Sequence, residues 1–168
     1  MHRPALTAKE LISMLEIALY QPDIPPNAAT IIRMAACFGL RVRIIEPAGF
    51  TWSDSSLKRA GMDYLDQALV SRDDSWAAFR AATRDRRLVL ASTKAAVPYT
   101  DFAFRPDDIL LMGRETSGVP ADVHEAADAR LLIPMRPGLR SLNVALACAM
   151  ITGEALRQTD GYAGLVGA

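Results

Sequence analysis

The sequence predicts an α/β domain built on a parallel sheet with helices on both faces. Apolar runs of strand length alternate along the chain with segments of helical periodicity. The runs are continuous rather than alternating, as in strands covered on both sides. With 168 residues, 51% of them apolar, the chain suits one domain around a single core.

The elements follow in order. Residues 1–13 read as an extension before the first strand, "MLEIALY" (14–20). "QPDIPPN" is a rigid loop. Asn27 is placed to cap a helix that runs to Phe38 and ends at Gly39, with Ile31, Ile32, Ala35, Ala36 and Phe38 as its apolar face. "RVRIIEP" is the second strand, and Ser53 or Asp54 caps a short helix ending at Gly61. "QALVS" is the third strand. "DSWAAFRAATRD" is an amphipathic helix, with Trp76, Ala77 and Phe79 to Ala81 on or near one face. "RLVLAST" and "DILLMG" are the fourth and fifth strands. A short helix follows "VPAD", then "ARLLIP" as the sixth strand. The last helix, "SLNVALACAMITGEALRQ", is apolar around most of its circumference in its first half. It therefore needs cover on several sides, from a second subunit or from a central place in a monomer. Residues 14–161 form the domain and 162–168 a tail.

Several function classes are excluded. The net charge is zero and the pI near 6.7, so bulk electrostatics do not announce a nucleic-acid binder. The clusters Arg41 with Arg43, Lys58 with Arg59, and Arg84 with Arg86 and Arg87 read as surface charge. No apolar stretch approaches the roughly 20 residues of a membrane span, and "MHRPALTAKELIS" has no signal-peptide core, so a cytoplasmic location is expected. Cys37 and Cys148 are expected as buried thiols. His2 and His124 lack metal spacing and read as incidental. No G-x-G-x-x-G follows the first strand. A P-loop, a G-x-S-x-G elbow, an H-E-x-x-H pair and a cysteine-pair metal site are all missing.

Open α/β sheets bind ligands beyond the C-terminal ends of their strands, here the loops after Tyr20, Glu46, Thr93, Gly113 and Pro134. Three of these regions have unusual chemistry: "PDIPPNAATIIR", "LLMGRETSGVP" and "IPMRPGLRSLN". Gly113, directly after a buried strand, would let a ligand approach the main chain, although turn chemistry accounts for it equally well. A loop stiffened by Pro134 and Pro137 loses little entropy on binding.

These three segments, in this order, resemble the SPOUT class of RNA methyltransferases. Within it they are similar to the small TrmL-type family that methylates the ribose of the wobble nucleotide of transfer RNA. The likeness covers roughly Met14 to Gly161. It includes "IALYQPDIPPN", "IIEPAGFTW", "KRAGMDY", "STK", "MGRETSGVP", "IPM", "RSLN" and "EALRQ". The resemblance implies a trefoil knot near the C-terminus, S-adenosylmethionine as methyl donor, no metal, and a homodimer with RNA in the groove between subunits. It places the donor at Ala91, Gly113, Ile133, Ser141 and Leu142. It gives catalytic parts to Arg33, Asn27 and Glu115, and RNA contacts to Arg33, Lys94 and Arg140. Because arginine stays protonated, Arg33 fits a hydrogen-bond donor to the ribose oxygen or a phosphate better than a base. Ser141 also suits the cap of the last helix. Asn143, in an apolar setting, must pair with a neighbouring loop.

The sequence departs from the family pattern in places. Ala29 and Thr30 stand for the usual Gly and Asn. Ala145 and Ala149 stand for small hydroxyl residues, Leu146 for an Asn, Gly153 for a Tyr and Leu65 for a His. Two other readings therefore stay open: a ribose methyltransferase for another RNA, and a non-catalytic RNA- or nucleotide-binding relative.

Overall fold

The computed structural model describes residues 14–51 and 69–165. The extension at 1–13, the short helix expected between Ser53 and Gly61, Lys58 and Arg59, and Leu65 lie outside the described residues.

The described strands are β1 (Glu16–Tyr20), β2 (Arg41–Ile45), β3 (Leu69–Asp73), β4 (Leu88–Ala91), β5 (Val97–Pro98), β6 (Ile109–Met112) and β7 (Ala129–Leu132). The helices are α1 (Pro25–Phe38), α2 (Trp76–Thr83), α3 (Ala121–Ala126) and α4 (Val144–Gln158). The strands form one sheet in the order β3-β2-β1-β6-β4-β7-β5, and every pairing is parallel. The six expected strands are all present. The two-residue β5, which pairs Val97 with Leu131 and Pro98 with Leu132, had no periodicity to announce it.

Alternate residues of each strand feed two cores, one per face. Ile17, Leu19, Val42, Ile44, Leu110 and Met112 face α1 and α4. Ala18, Tyr20, Ile45, Leu90, Ile109 and Leu111 face Phe79 of α2 and Val123 of α3. This two-sided burial is why β6 and β1 after Glu16 read as unbroken apolar runs. In α2 the core contact narrows to Trp76, Phe79 and Thr83, while Ala77 and Ala81 are exposed.

The helix termini differ from expectation in two places. α1 begins at Pro25 after Ile24, with prolines at its first positions, where a missing N–H is harmless. Asn27 therefore lies inside the first turn and caps nothing, which frees its amide. α4 is capped by Asn143, not Ser141: the Asn143 side chain accepts from Ala145 N at 2.8 Å and Leu146 N at 3.4 Å. The C-terminus of α1 is as expected, with Gly39 in the left-handed region (φ 67°).

The thiols also divide. Cys148 is buried, and burial pushes its thiol up to about 12. Cys37 is exposed on α1, against expectation, because it falls on the face with Thr30 and Arg33 rather than with Ile32 and Ala35.

At the N-terminal ends of the strands, carboxylates are buried with arginines. Glu16 pairs with Arg86 and, at 3.7 Å, with Arg41. Asp108 accepts from Arg87 Nε and Nη2, both at 2.7 Å, and from Arg105 N at 2.8 Å. Part of the basic character seen in sequence at 41, 86 and 87 is thus structural rather than available to a partner.

Candidate active site

The C-terminal ends of β1, β6, β4 and β7 lie side by side, and the loops leaving them enclose a cavity of about 780 Å³. That volume is in the range of small-molecule sites. Its floor is apolar, with Leu90, Met112, Leu131, Val144 and Ile151 among the lining residues. Its rim carries polar groups from separate loops.

All five residues expected to hold a donor line this cavity: Ala91, Gly113, Ile133, Ser141 and Leu142. So do Asn27, Glu115, Lys94 and Arg140. Arg33 does not. It lies on the exposed side of α1, outside the cavity wall.

A continuous hydrogen-bonded relay ties the three loops together. Asp23 N donates to Glu115 Oε2 at 3.0 Å, and Glu115 N donates back to Asp23 Oδ1 at 3.1 Å. The Thr116 hydroxyl also donates to Asp23 Oδ2. Asn27 Nδ2 donates to Glu115 Oε1 at 3.3 Å, and Asn143 Nδ2 donates to Asn27 Oδ1 at 2.9 Å. Asn143 Oδ1 then accepts from the first N–H groups of α4. Each amide in this chain donates on one side and accepts on the other, so the direction of every link is fixed. Asn143 does find a partner outside its own loop, Asn27, but at an exposed position and not in the apolar setting expected. The role of Glu115 in this arrangement is to join loops.

The two carboxyls at the end of the relay respond oppositely to their setting. Hydrogen bonding with Glu115, then with Thr116, holds Asp23 down at about 2, well below the usual carboxylate range. Burial, then the neighbouring Asp23, raises Glu115. Asp23 is the ionised member, and Glu115 keeps its proton to higher pH than an ordinary glutamate.

Gly113 has a clear local reason. A Cβ there would sit 2.8 Å from the Gly118 carbonyl carbon, because the 113–118 turn closes on itself through paired Arg114–Gly118 backbone bonds at 2.9 Å. Gly118, at φ 67°, completes the turn. Of the two readings left open in the sequence, turn closure is the one with a contact behind it.

Sequence reasoning missed three residues here. Arg114 lines the cavity between Gly113 and Glu115. Gln21, the residue after β1, holds a left-handed backbone (φ 44°) that costs a non-glycine residue about 1 kcal/mol or more. His124, read as incidental, lines the cavity, and its Nε2 is buried without a hydrogen-bond partner. The only sequence signal for His124 was its place one turn beyond "SGVP". Among the described residues no group of three or more His, Cys, Asp or Glu side chains is placed to hold a metal.

A parallel α/β domain with a nucleoside-sized cavity across its strand ends is the class defined so far. The chain belongs to the SpoU rRNA Methylase family, whose model matches residues 14–153. A tRNA (cytidine(34)-2′-O)-methyltransferase from Beijerinckia indica subsp. indica is 63% identical over 149 residues, covering 88% of this chain and 93% of that protein. A solved structure concerned with the 2-OH methylation of C/U34 on tRNA superposes with a TM-score of 0.82 at 40% identity, covering 87% of this chain and 96% of that one. The AviRb SpoU methyltransferase of Streptomyces viridochromogenes, in complex with the cofactor AdoMet, superposes with a TM-score of 0.75 at 28% identity, covering 92% of this chain and 65% of that one.

Proposed function

We propose that the protein transfers a methyl group from S-adenosylmethionine to the ribose 2′-hydroxyl of nucleotide 34 in transfer RNA. The observation that carries this reading is the relay from Asp23 through Glu115, Asn27 and Asn143. It closes three motif loops around one cavity in a chain closely related to enzymes of that name.

The residues present fit the donor. The apolar floor suits a flat adenine, main-chain groups of three loops can read its edges, and two wall atoms, His124 Nε2 and Arg114 Nε, lack hydrogen-bond partners in the protein. Ala91, Gly113, Ile133, Ser141 and Leu142 are the residues that would hold it. When bound, the donor supplies a methyl group activated on a sulfonium. The relay would hold the loops in one arrangement, so that donor and RNA ribose bind in a fixed relation. Arg33, Lys94 and Arg140 are cations that would hold the RNA. Arg33, outside the cavity wall of its own protomer, would donate to the ribose oxygen or an adjacent phosphate only of RNA shared with a second copy, and not remove the hydroxyl proton. The domain limits 14–161 and a knotted C-terminus belong to the same reading.

The homodimer belongs to it too. α4 buries one face, with Cys148, Ile151 and Ala155, but leaves Leu146 60% and Met150 41% exposed. Leu146 and Met150, one turn apart on α4, make an apolar stripe that a second copy would cover. Leu146→Asp is expected to reduce the mass in light scattering from that of a dimer to the 18.2 kDa protomer. Wild-type protein that is already monomeric would refute the dimer.

The departures do not all sit at the site. Ala29 is buried in the core, and Thr30 donates back to Pro26 O at 2.8 Å on the exposed face of α1. Beside Gly153, the Tyr162 hydroxyl donates to the Gly153 carbonyl at 3.3 Å. They keep in view the two other readings, another RNA and a non-catalytic relative. Calorimetry with S-adenosylhomocysteine, then labelled donor with bulk tRNA and nucleoside digestion, separates all three. The expected product is a 2′-O-methylated nucleoside from position 34. Donor binding without any methylated nucleoside from tRNA or ribosomal RNA would favour the non-catalytic relative, and product from ribosomal RNA alone would redirect the substrate.

A further inference from the structure

The geometry points to Arg114 as an oxyanion-binding residue of the cavity, taking either a phosphodiester of the RNA or the carboxylate of the donor. This rests on the proposed function and adds to it a binding group that the motif positions did not name.

Four observations converge on Arg114. It lines the cavity, between Gly113 and Glu115. Its guanidinium is weakly engaged: Nη1 reaches Gln21 Oε1 only at 3.4 Å, and Nε lies 3.6 Å from Asp23 Oδ2, beyond hydrogen-bond length. Nε is itself buried without a hydrogen-bond partner. By contrast, Arg87 and Arg43 each make a bidentate pair with a carboxylate. A guanidinium offers donors in a rigid fork suited to carboxylate or phosphate. Here the fork is only partly engaged, with Asp23 at ion-pair distance and one long hydrogen bond to Gln21.

The groups that hold it are themselves constrained. Gln21 adopts its left-handed backbone at the end of β1, where its N–H is tied to Ile45 O at 2.9 Å. Asp23 is fixed by Glu115 N and the Thr116 hydroxyl. Arg114 thus rests between a strained residue and an anion already committed to the relay. Strain of this kind persists where the surrounding structure over-determines it, commonly at ligand sites.

The test uses the full chain. Arg114→Ala, Arg114→Gln and Arg114→Lys are compared with wild type for S-adenosylhomocysteine binding by calorimetry and for binding of transcribed tRNA between about 50 and 200 mM salt. A phosphate contact predicts that tRNA affinity falls about tenfold in Ala and Gln. The logarithmic salt slope drops by about one, Lys keeps most of that slope, and donor affinity is unchanged. A carboxylate contact predicts about tenfold weaker donor binding with the salt slope intact. A merely structural Arg114 would lower the melting temperature without moving the slope or the donor affinity. Both affinities within twofold of wild type, for variants that fold, overturn the inference and leave the proposed function standing. Should Ala fail to fold, the Gln-against-Lys contrast decides. Wild-type protein that binds neither ligand removes both.

Discussion

Glu115→Ala is expected to lower kcat/KM for RNA methylation by about two orders of magnitude and stability by about 2–4 kcal/mol. The substitution removes the acceptor of Asp23 N and of Asn27 Nδ2, leaving two part-buried donors without their partner. Asn27 then loses its orientation, and with it the link to Asn143 and the start of α4. The main-chain N–H of position 115 and the Thr116 hydroxyl still bond Asp23, so it is the Asn27–Asn143 side of the rim that loosens. Glu115→Gln should retain more of both quantities, because one amide oxygen can still accept. Steady-state kinetics and urea unfolding measure the two effects. An alanine variant within threefold of wild-type kcat/KM would show that the relay does not position the site.

The pH dependence of this clamp follows from the two shifts. Asp23 is depressed to about 2, so its stabilisation is present above its ordinary value of 3.8 and is lost as pH falls through about 2. Glu115 is raised, so the folded state binds its proton more readily than the unfolded chain does. That contribution is present at pH below the ordinary glutamate value and is lost as pH rises through the raised one. The clamp is therefore expected to survive mild acid, with Asp23→Asn returning Glu115 toward its ordinary range. Carboxyl titration by NMR reads both groups.

Asp108→Ala should cost more stability, about 3–5 kcal/mol, and leave donor affinity unchanged. Asp108 is fully buried and accepts three hydrogen bonds, two from Arg87 and one from Arg105 N. Its removal leaves the partly buried Arg87 guanidinium without its carboxylate, with only the Ala103 carbonyl at 2.9 Å and the Phe102 ring, 4.7 Å from its centroid, as partners. A domain of this size has only about 5–15 kcal/mol in total, so the variant should approach the folding threshold. Replacing both partners, Arg87→Met with Asp108→Leu, is expected to recover much of the loss, since no unpaired charge then remains. Urea midpoints decide it, and a loss below about 1 kcal/mol for the single variant would disprove the argument. Donor affinity is the control, because Asp108 precedes β6 at the end of the sheet opposite the cavity.

The sheet was legible in the sequence because its strands are covered on both faces, which leaves apolar runs such as "IALY" and "ILLM". The loops were legible as sites because they follow those runs and concentrate proline, glycine and polar residues. Helix caps were read less well. Asn27 and Ser141 both have capping chemistry, but capping depends on where the first turn starts, and two prolines move that start to Pro25. β5 was invisible because two residues carry no period.

By itself the sequence determined the parallel α/β architecture and pointed to the strand-end loops, because local pattern and strand polarity carry both. The resemblance, not the pattern, supplied Asn27, Ala91, Lys94, Gly113, Glu115, Ile133, Arg140, Ser141 and Leu142 among the lining residues. Only the tertiary structure decided which polar atoms meet. The Asp23–Glu115–Asn27–Asn143 relay, the turn that makes Gly113 obligatory, and the under-used guanidinium of Arg114 all depend on approach between distant loops. Hydrogen bonds require alignment within a few tenths of an ångström, and no periodicity in one dimension encodes that.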